Sequence, residues 1–135
     1  MFGSPRNPVA AYASIGVETS VPTADPHQLI MLLFEGAKIA ISAAKLNMTQ
    51  GNIAQKGSSI SKAIDIITNG LKASLNYDEG GDLSQKLGAL YDYMTQRLLW
   101  ANLKNDTATL DEVMRLLSEL HAAWAQIAPS TEKAA

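Results

Sequence analysis

Six consecutive apolar residues, Leu29 to Phe34, follow directly on the helix start Asp25-Pro26-His27-Gln28. The aspartate offers a side-chain acceptor to the first free backbone amides, a proline at the first helical position forfeits no hydrogen bond, and a glutamine three residues after the cap reaches back to it. On a helix of about 3.6 residues per turn, such a run points in every direction. No single flat face buries it, so the opening turns of this helix need cover on all sides. That cover comes from the chain's own bundle, from a folded-back terminal arm or from another protein.

The apolar pattern beyond this point predicts four helices and no strand. In the first, Gln28, Glu35, Lys38, Ser42 and Lys45 confine the polar residues to an arc of about 100°. Leu29, Ile30, Leu33, Phe34, Ala37, Ile41 and Ala44 take the rest, Met31 intrudes on the polar strip, and Gly51 supplies the stop. A second helix opens at Asn52, with Gln55 in the same cap-to-third-position relation, and carries the stripe Ile53, Ile60, Ile64, Ile67, Leu71 and Leu75. Lys62, Asp65, Asn69, Lys72 and Asn76 form its solvated side. After the turn Asp78-Glu79-Gly80-Gly81, a third helix capped by Asp82 aligns Leu83, Leu87, Leu90, Tyr91, Met94, Leu98 and Ala101 and reaches about Lys104. Asn105-Asp106 is a turn that also caps a fourth helix, with Leu110, Val113, Leu117, Leu120, Trp124 and Ile127 at heptad-like spacing before Pro129. The expectation is an all-α, antiparallel four-helix bundle over residues 25–128. A mobile N-terminal arm over 1–24 and a disordered tail over 129–135 flank it.

Composition narrows the chemistry. The chain has 135 residues, enough for a single core, and its 11 Lys and Arg against 13 Asp and Glu include no basic run that would follow a phosphate backbone. Nucleic acid is therefore not an expected partner, and membrane insertion is not expected from an apolar run this short. The start of the chain lacks the basic-then-apolar order of a secretion signal. Without cysteine there is neither a disulfide nor a thiolate metal site. The histidines, His27 and His121, are placed by an antiparallel bundle at neighbouring helix ends, a conceivable metal or proton site, but surface positions are the ordinary outcome for them. Neither stands in the His-x-x-Lys-Gly setting of a phosphotransfer domain, and no Glu-x-x-His pair provides for a di-iron centre. No nucleophile turn or phosphate loop is present. No catalytic residue, metal or cofactor is expected, and what remains is interaction chemistry.

Several residues invite that reading. The arm carries Phe2, Val9, Tyr12, Ile15, Val17 and Val21, too apolar a set for a plain linker. Gly36, Gly57, Gly70 and Gly88 interrupt helices at up to about 1 kcal/mol each, which close packing or a bound partner helix would offset. Tyr91 belongs to the core stripe, whereas Tyr93 and Trp100, seven apart and off that stripe, fit an exposed recognition surface, although isolated surface aromatics are the more ordinary outcome. Ile64, Ile67 and Leu71 fit either the internal core or the floor of a groove.

The chain resembles the family of flagellin export chaperones, FliS, over about Ala11 to Ile127. The likeness rests on Ala11-Tyr12, on Pro26 with Leu29-Ile30-Met31-Leu32-Leu33-Phe34-Glu35-Gly36-Ala37, on Lys56-Gly57 and on Ser61-Lys62-Ala63-Ile64. It continues through Asn69-Gly70-Leu71, Gly80-Gly81, Leu90-Tyr91-Asp92-Tyr93-Met94 and the segment Arg97 to Asp106. The sequence departs from the family in Trp100, where a polar residue is more frequent, in Phe34 for a tyrosine, and in a longer arm. The resemblance implies a protein of the bacterial cytosol that holds flagellin monomeric before type III export by capturing its disordered C-terminal segment in hydrophobic grooves. It also implies that the arm, whose tyrosine is matched by Tyr12, covers part of the groove until flagellin arrives, and the apolar character of the arm extends this expectation to Ile15 and Val17. Export-gate or regulatory proteins are further possible partners. The expected partner-binding residues are Tyr12, Ile15, Val17, Ile30, Met31, Phe34, Ile64, Ile67, Leu71, Tyr93 and Trp100. The alternatives are a self-associating bundle that is a homodimer when free and, more remotely, a histidine phosphotransfer domain.

Overall fold

Asp25 accepts a hydrogen bond from the Gln28 amide at 2.8 Å, Pro26 occupies the first helical position, and α1 (Pro26–Gln50) runs from there to Gly51. Gly51, at φ 77°, takes the left-handed conformation that closes the helix. The computed structural model describes residues 25–127; the expected arm and tail, with Tyr12, Ile15 and Val17, lie outside the described residues. The second rod begins as α2 (Ile53–Asp65), continues as a π-helical stretch (Ile66–Leu71) and ends in a 3-10 turn (Lys72–Ser74). α3 spans Tyr77–Lys104 and α4 spans Thr107–Ala125. Among the described residues every regular element is helical.

α1 packs on α2 and α4, and α3 packs on α4 and on the second rod, so the four helices form a ring with α1 and α3 on the diagonal. The centre is filled by Ile41 from α1, Ile60 and Ile67 from the second rod, Met94 and Leu98 from α3, and Leu110, Val113 and Leu117 from α4. Alanines at 37, 44, 63 and 101, all fully buried, let the backbones approach. Across α3 and α4, Arg97 donates from Nε to Glu112 at 2.9 Å and from its other end to Thr109 at 3.3 Å, while Tyr93 donates to the second oxygen of Glu112. These bonds hold the Glu112 carboxyl below its ordinary range, the Tyr93 hydroxyl contributing most and Arg97 next.

The ends of the helices depart from expectation in three places. Asn52 makes no side-chain capping bond; its amide instead donates to Asn47 and Gln50. Ile53, expected on the core stripe, is 76% exposed, because it sits in the first turn before α2 has settled against the bundle. Lys56 is buried, an uncommon place for a lysine. Its Nζ donates to the Asn102 carbonyl at 3.1 Å and to Asn105 Oδ1 at 2.9 Å, supplying a donor to the free carbonyl end of α3. Finally, helical geometry at the third helix starts at Tyr77 rather than Asp82: Asn76 Oδ1 accepts from the amides of Asp78 and Glu79, giving one turn. Gly81, at φ 52° and ψ −121°, then kinks the chain before the main body of α3. The kink falls at the double glycine, as the sequence pattern required.

Candidate functional site

Two aromatic stacks join the first turns of α1 to the last turns of α4. The His27 ring lies on Trp124 with centroids 5.1 Å apart and planes within 13°, and His121 lies on Phe34 at 5.5 Å and 16°. His27 Nε2 meets the Trp124 carbonyl at 2.9 Å, so the histidine donates there, and the Trp124 indole N–H donates to the His27 carbonyl at 3.0 Å. These two bonds run between the start of α1 and the end of α4 and fasten the two helix ends together. His121 Nδ1 accepts from Lys38 Nζ at 3.3 Å, and burial, reinforced by the Lys38 charge, lowers its pKa below the ordinary histidine value. The histidines are therefore packing elements: His27 is 5% exposed, which corrects the expectation of a surface residue and leaves no free imidazole there for phosphotransfer. Among the described residues no cluster of three or more His, Asp or Glu provides for a metal.

The same end of the bundle opens into a cavity of about 550 Å³. α1 contributes Ile30 and Phe34, and the end of the second rod contributes Leu71, Ser74, Leu75 and Asn76. α3 adds Glu79, Gly80, Leu83, Ser84, Leu87 and Tyr91, and the end of α4 adds Leu120, Ala123, Trp124 and Ile127. The wall is apolar because each helix turns its stripe inward at this end of the bundle. The neutral polar groups around it are largely engaged. Ser74 donates to the Gly70 carbonyl at 2.6 Å, Ser84 donates to the Asn76 carbonyl at 3.0 Å, and Asn76 Oδ1 caps the first turn of α3. Glu79 is the one charged residue of the wall among the described residues. A concave apolar site with few polar groups suits an apolar segment of another chain better than it suits a metal, a phosphate or a sugar.

Of the residues expected to bind a partner, the structure brings Ile30, Phe34 and Leu71 together on this wall. Met31 and Ile64 are half-buried and do not line it, and Ile67 is fully buried within the core. Tyr93 and Trp100 are exposed but stand further along α3, Tyr93 bonded to Glu112 and Trp100 beneath Lys104, whose Nζ is 5.2 Å from the ring. The sequence pattern had Leu75, Leu83, Leu87, Leu120, Trp124 and Ile127 only as core stripe. Leu83 at 65% and Ile127 at 45% exposure are the visible departures: both belong to the stripes of their helices but extend past the bundle's end onto the cavity rim. Position at a helix end, rather than phase, distinguishes them.

A family model described as "Flagellar protein FliS" matches residues 8–131. The flagellar secretion chaperone FliS of Salmonella typhimurium is 50% identical over 121 residues, covering 90% of each chain. Its counterpart in Escherichia coli is 47% identical over 114 residues, 84% of each chain, and that of Bacillus subtilis is 36% identical over 128 residues, 95% of this chain and 91% of the relative.

Proposed function

The chain belongs to the FliS family of flagellar proteins, and from that premise we propose that it is a stoichiometric export chaperone that captures the C-terminal segment of flagellin in the cytoplasm. The segment folds onto the bundle as amphipathic helix, laying apolar anchors in the cavity between the starts of α1 and α3 and the ends of the second rod and α4. Held there, it is withheld from polymerisation until delivery to the type III export apparatus. The observation that carries this reading is the 550 Å³ apolar cavity with a single charged lining residue among the described residues. In the absence of flagellin, the arm through Tyr12, Ile15 and Val17 covers part of the cavity; it joins α1 at Asp25, only a few residues before Ile30 on the wall. Among the described residues no helix is long and apolar enough to cross a membrane, in keeping with a binding role in solution.

Sedimentation of the free protein, and of the protein mixed with a flagellin C-terminal peptide, tests the proposal. A 1:1 complex is expected. A stable homodimer indifferent to the peptide overturns it and favours the self-associating bundle. Removing residues 1–18 is expected to raise peptide affinity, since the segment no longer competes with the arm; unchanged affinity and unchanged stability together overturn the covering role of the arm.

A further inference from the structure

Tyr91 is 4% exposed, and its side chain forms part of the cavity wall. Its hydroxyl makes no hydrogen bond among the described residues, in contrast to Tyr93 two positions on, which donates to Glu112. The one fully enclosed side-chain polar atom without a partner among the described residues is Asn102 Oδ1. The Tyr91 oxygen, also unpartnered, therefore retains contact with open space, and the open space its residue lines is the cavity. Burial pushes its pKa up to about 12, so it stays protonated across physiological pH. A hydroxyl in this setting is a donor that no group among the described residues accepts from. Water can meet the hydroxyl while the cavity is open, but a docked segment that displaces this water must supply an acceptor or leave a costly unpaired group, because the neutral polar neighbours that line the wall are turned to other partners: Ser74 and Ser84 donate their own protons to backbone carbonyls, and Asn76 Oδ1 is occupied by two amides.

We propose that Tyr91 is a specificity-determining residue of the binding cavity, whose hydroxyl donates to the side-chain carboxamide of an Asn or Gln that the partner segment inserts among its apolar anchors. The inference rests on the functional reading above. The choice of acceptor follows from the site. Mid-helix backbone carbonyls of a docked helical segment are already bonded to their own amides. A carboxylate would enter an apolar wall whose only charge among the described residues, Glu79, repels it. An uncharged amide carbonyl meets neither obstacle, and it lets the site reject a purely apolar helix that would leave the hydroxyl unpaired.

The test is calorimetric titration of the flagellin C-terminal peptide into the full-length protein and its Tyr91→Phe variant, repeated with each Asn and Gln of the peptide changed in turn to Leu. Tyr91→Phe removes the hydroxyl alone. The affinity is expected to fall about three- to tenfold, as for one neutral hydrogen bond, while the thermal midpoint of the free variant stays level or rises, because no internal bond is lost. One Asn or Gln replacement is expected to weaken binding to the wild type and to have no further effect on the variant. Equal affinity of the two proteins, a destabilised free variant, or coupling to no Asn or Gln overturns the assignment. Wild-type protein that fails to bind the peptide at all overturns the functional reading itself.

Discussion

Replacing Trp124 by alanine should open the end of the bundle, and the structure sets the size of the effect. A fully buried tryptophan truncated to alanine costs about 3–5 kcal/mol. Trp124 is only half-buried, so roughly half of this, about 2 kcal/mol, is lost as packing, including its stack on His27. Its indole also donates to the His27 carbonyl at 3.0 Å, and losing that bond adds about 1 kcal/mol. The sum is about 3 kcal/mol. At about 4–8 °C per kcal/mol for a domain near this size, the midpoint should fall by about 12–24 °C. Trp124→Phe keeps a ring on His27 but no donor, and should cost about 1 kcal/mol. Urea unfolding followed by far-ultraviolet circular dichroism measures both, since helix content reports unfolding whether or not a tryptophan is removed. A loss below about 1 kcal/mol for the alanine variant would refute the claim that the His27–Trp124 pair fastens α1 to α4, and would place the strength of this end in the aliphatic contacts alone.

A glycine pair gives opposite expectations. A methyl group added at Gly57 meets nothing within 4 Å, so Gly57→Ala should stabilise by about 0.5–1 kcal/mol in a urea melt; Gly81→Ala, at φ 52°, should destabilise by about 1 kcal/mol or more. Acid should weaken the bundle through His121. Its folded-state pKa lies below the ordinary 6.5, burial being the larger cause and Lys38 the next; its contribution is therefore complete above that unfolded value and is lost as pH falls through the lower folded one. The drop in midpoint between pH 7 and pH 5 should be smaller in His121→Gln than in the wild type, and an equal drop would assign the acid sensitivity elsewhere. Lys56→Met should lower stability by about 1–3 kcal/mol, because the end of α3 loses the donor to the Asn102 carbonyl and Asn105; chemical denaturation checks it.

The helices were legible because capping and periodicity are local. Asp25 and Asp106 cap as their sequence neighbours demand, Gly51 and Asn105 end their helices in the left-handed conformation, and Ile60, Met94, Leu98 and Leu117 fall on stripes whose phase alone puts them inside. The run from Leu29 to Phe34 turns out to be divided: Leu33 and Phe34 are buried, and the four residues before them are half-buried. What the pattern left open depends on distance in space rather than along the chain. Nothing local to Lys56 announces that Asn102 and Asn105 will come to meet it from 46 and 49 residues away. Nothing near His27 announces Trp124, 97 residues on. The cavity had the same property: Leu75, Leu87 and Leu120 share a stripe with core residues, and only the meeting of four helix ends makes them a wall. The π-helical stretch Ile66–Leu71 was equally hidden, because its apolar spacing over so few residues is also consistent with a regular helix.

The two tryptophans of this chain divide the possible binding surfaces between them, since Trp124 lines the cavity and Trp100 stands exposed near the far end of α3. Each indole N–H gives its own signal in a nitrogen–proton correlation spectrum. Titrating the flagellin C-terminal peptide to saturation should move the Trp124 signal and leave that of Trp100 comparatively still. A saturable complex in which Trp100 moves and Trp124 does not would contradict the cavity as the site of capture.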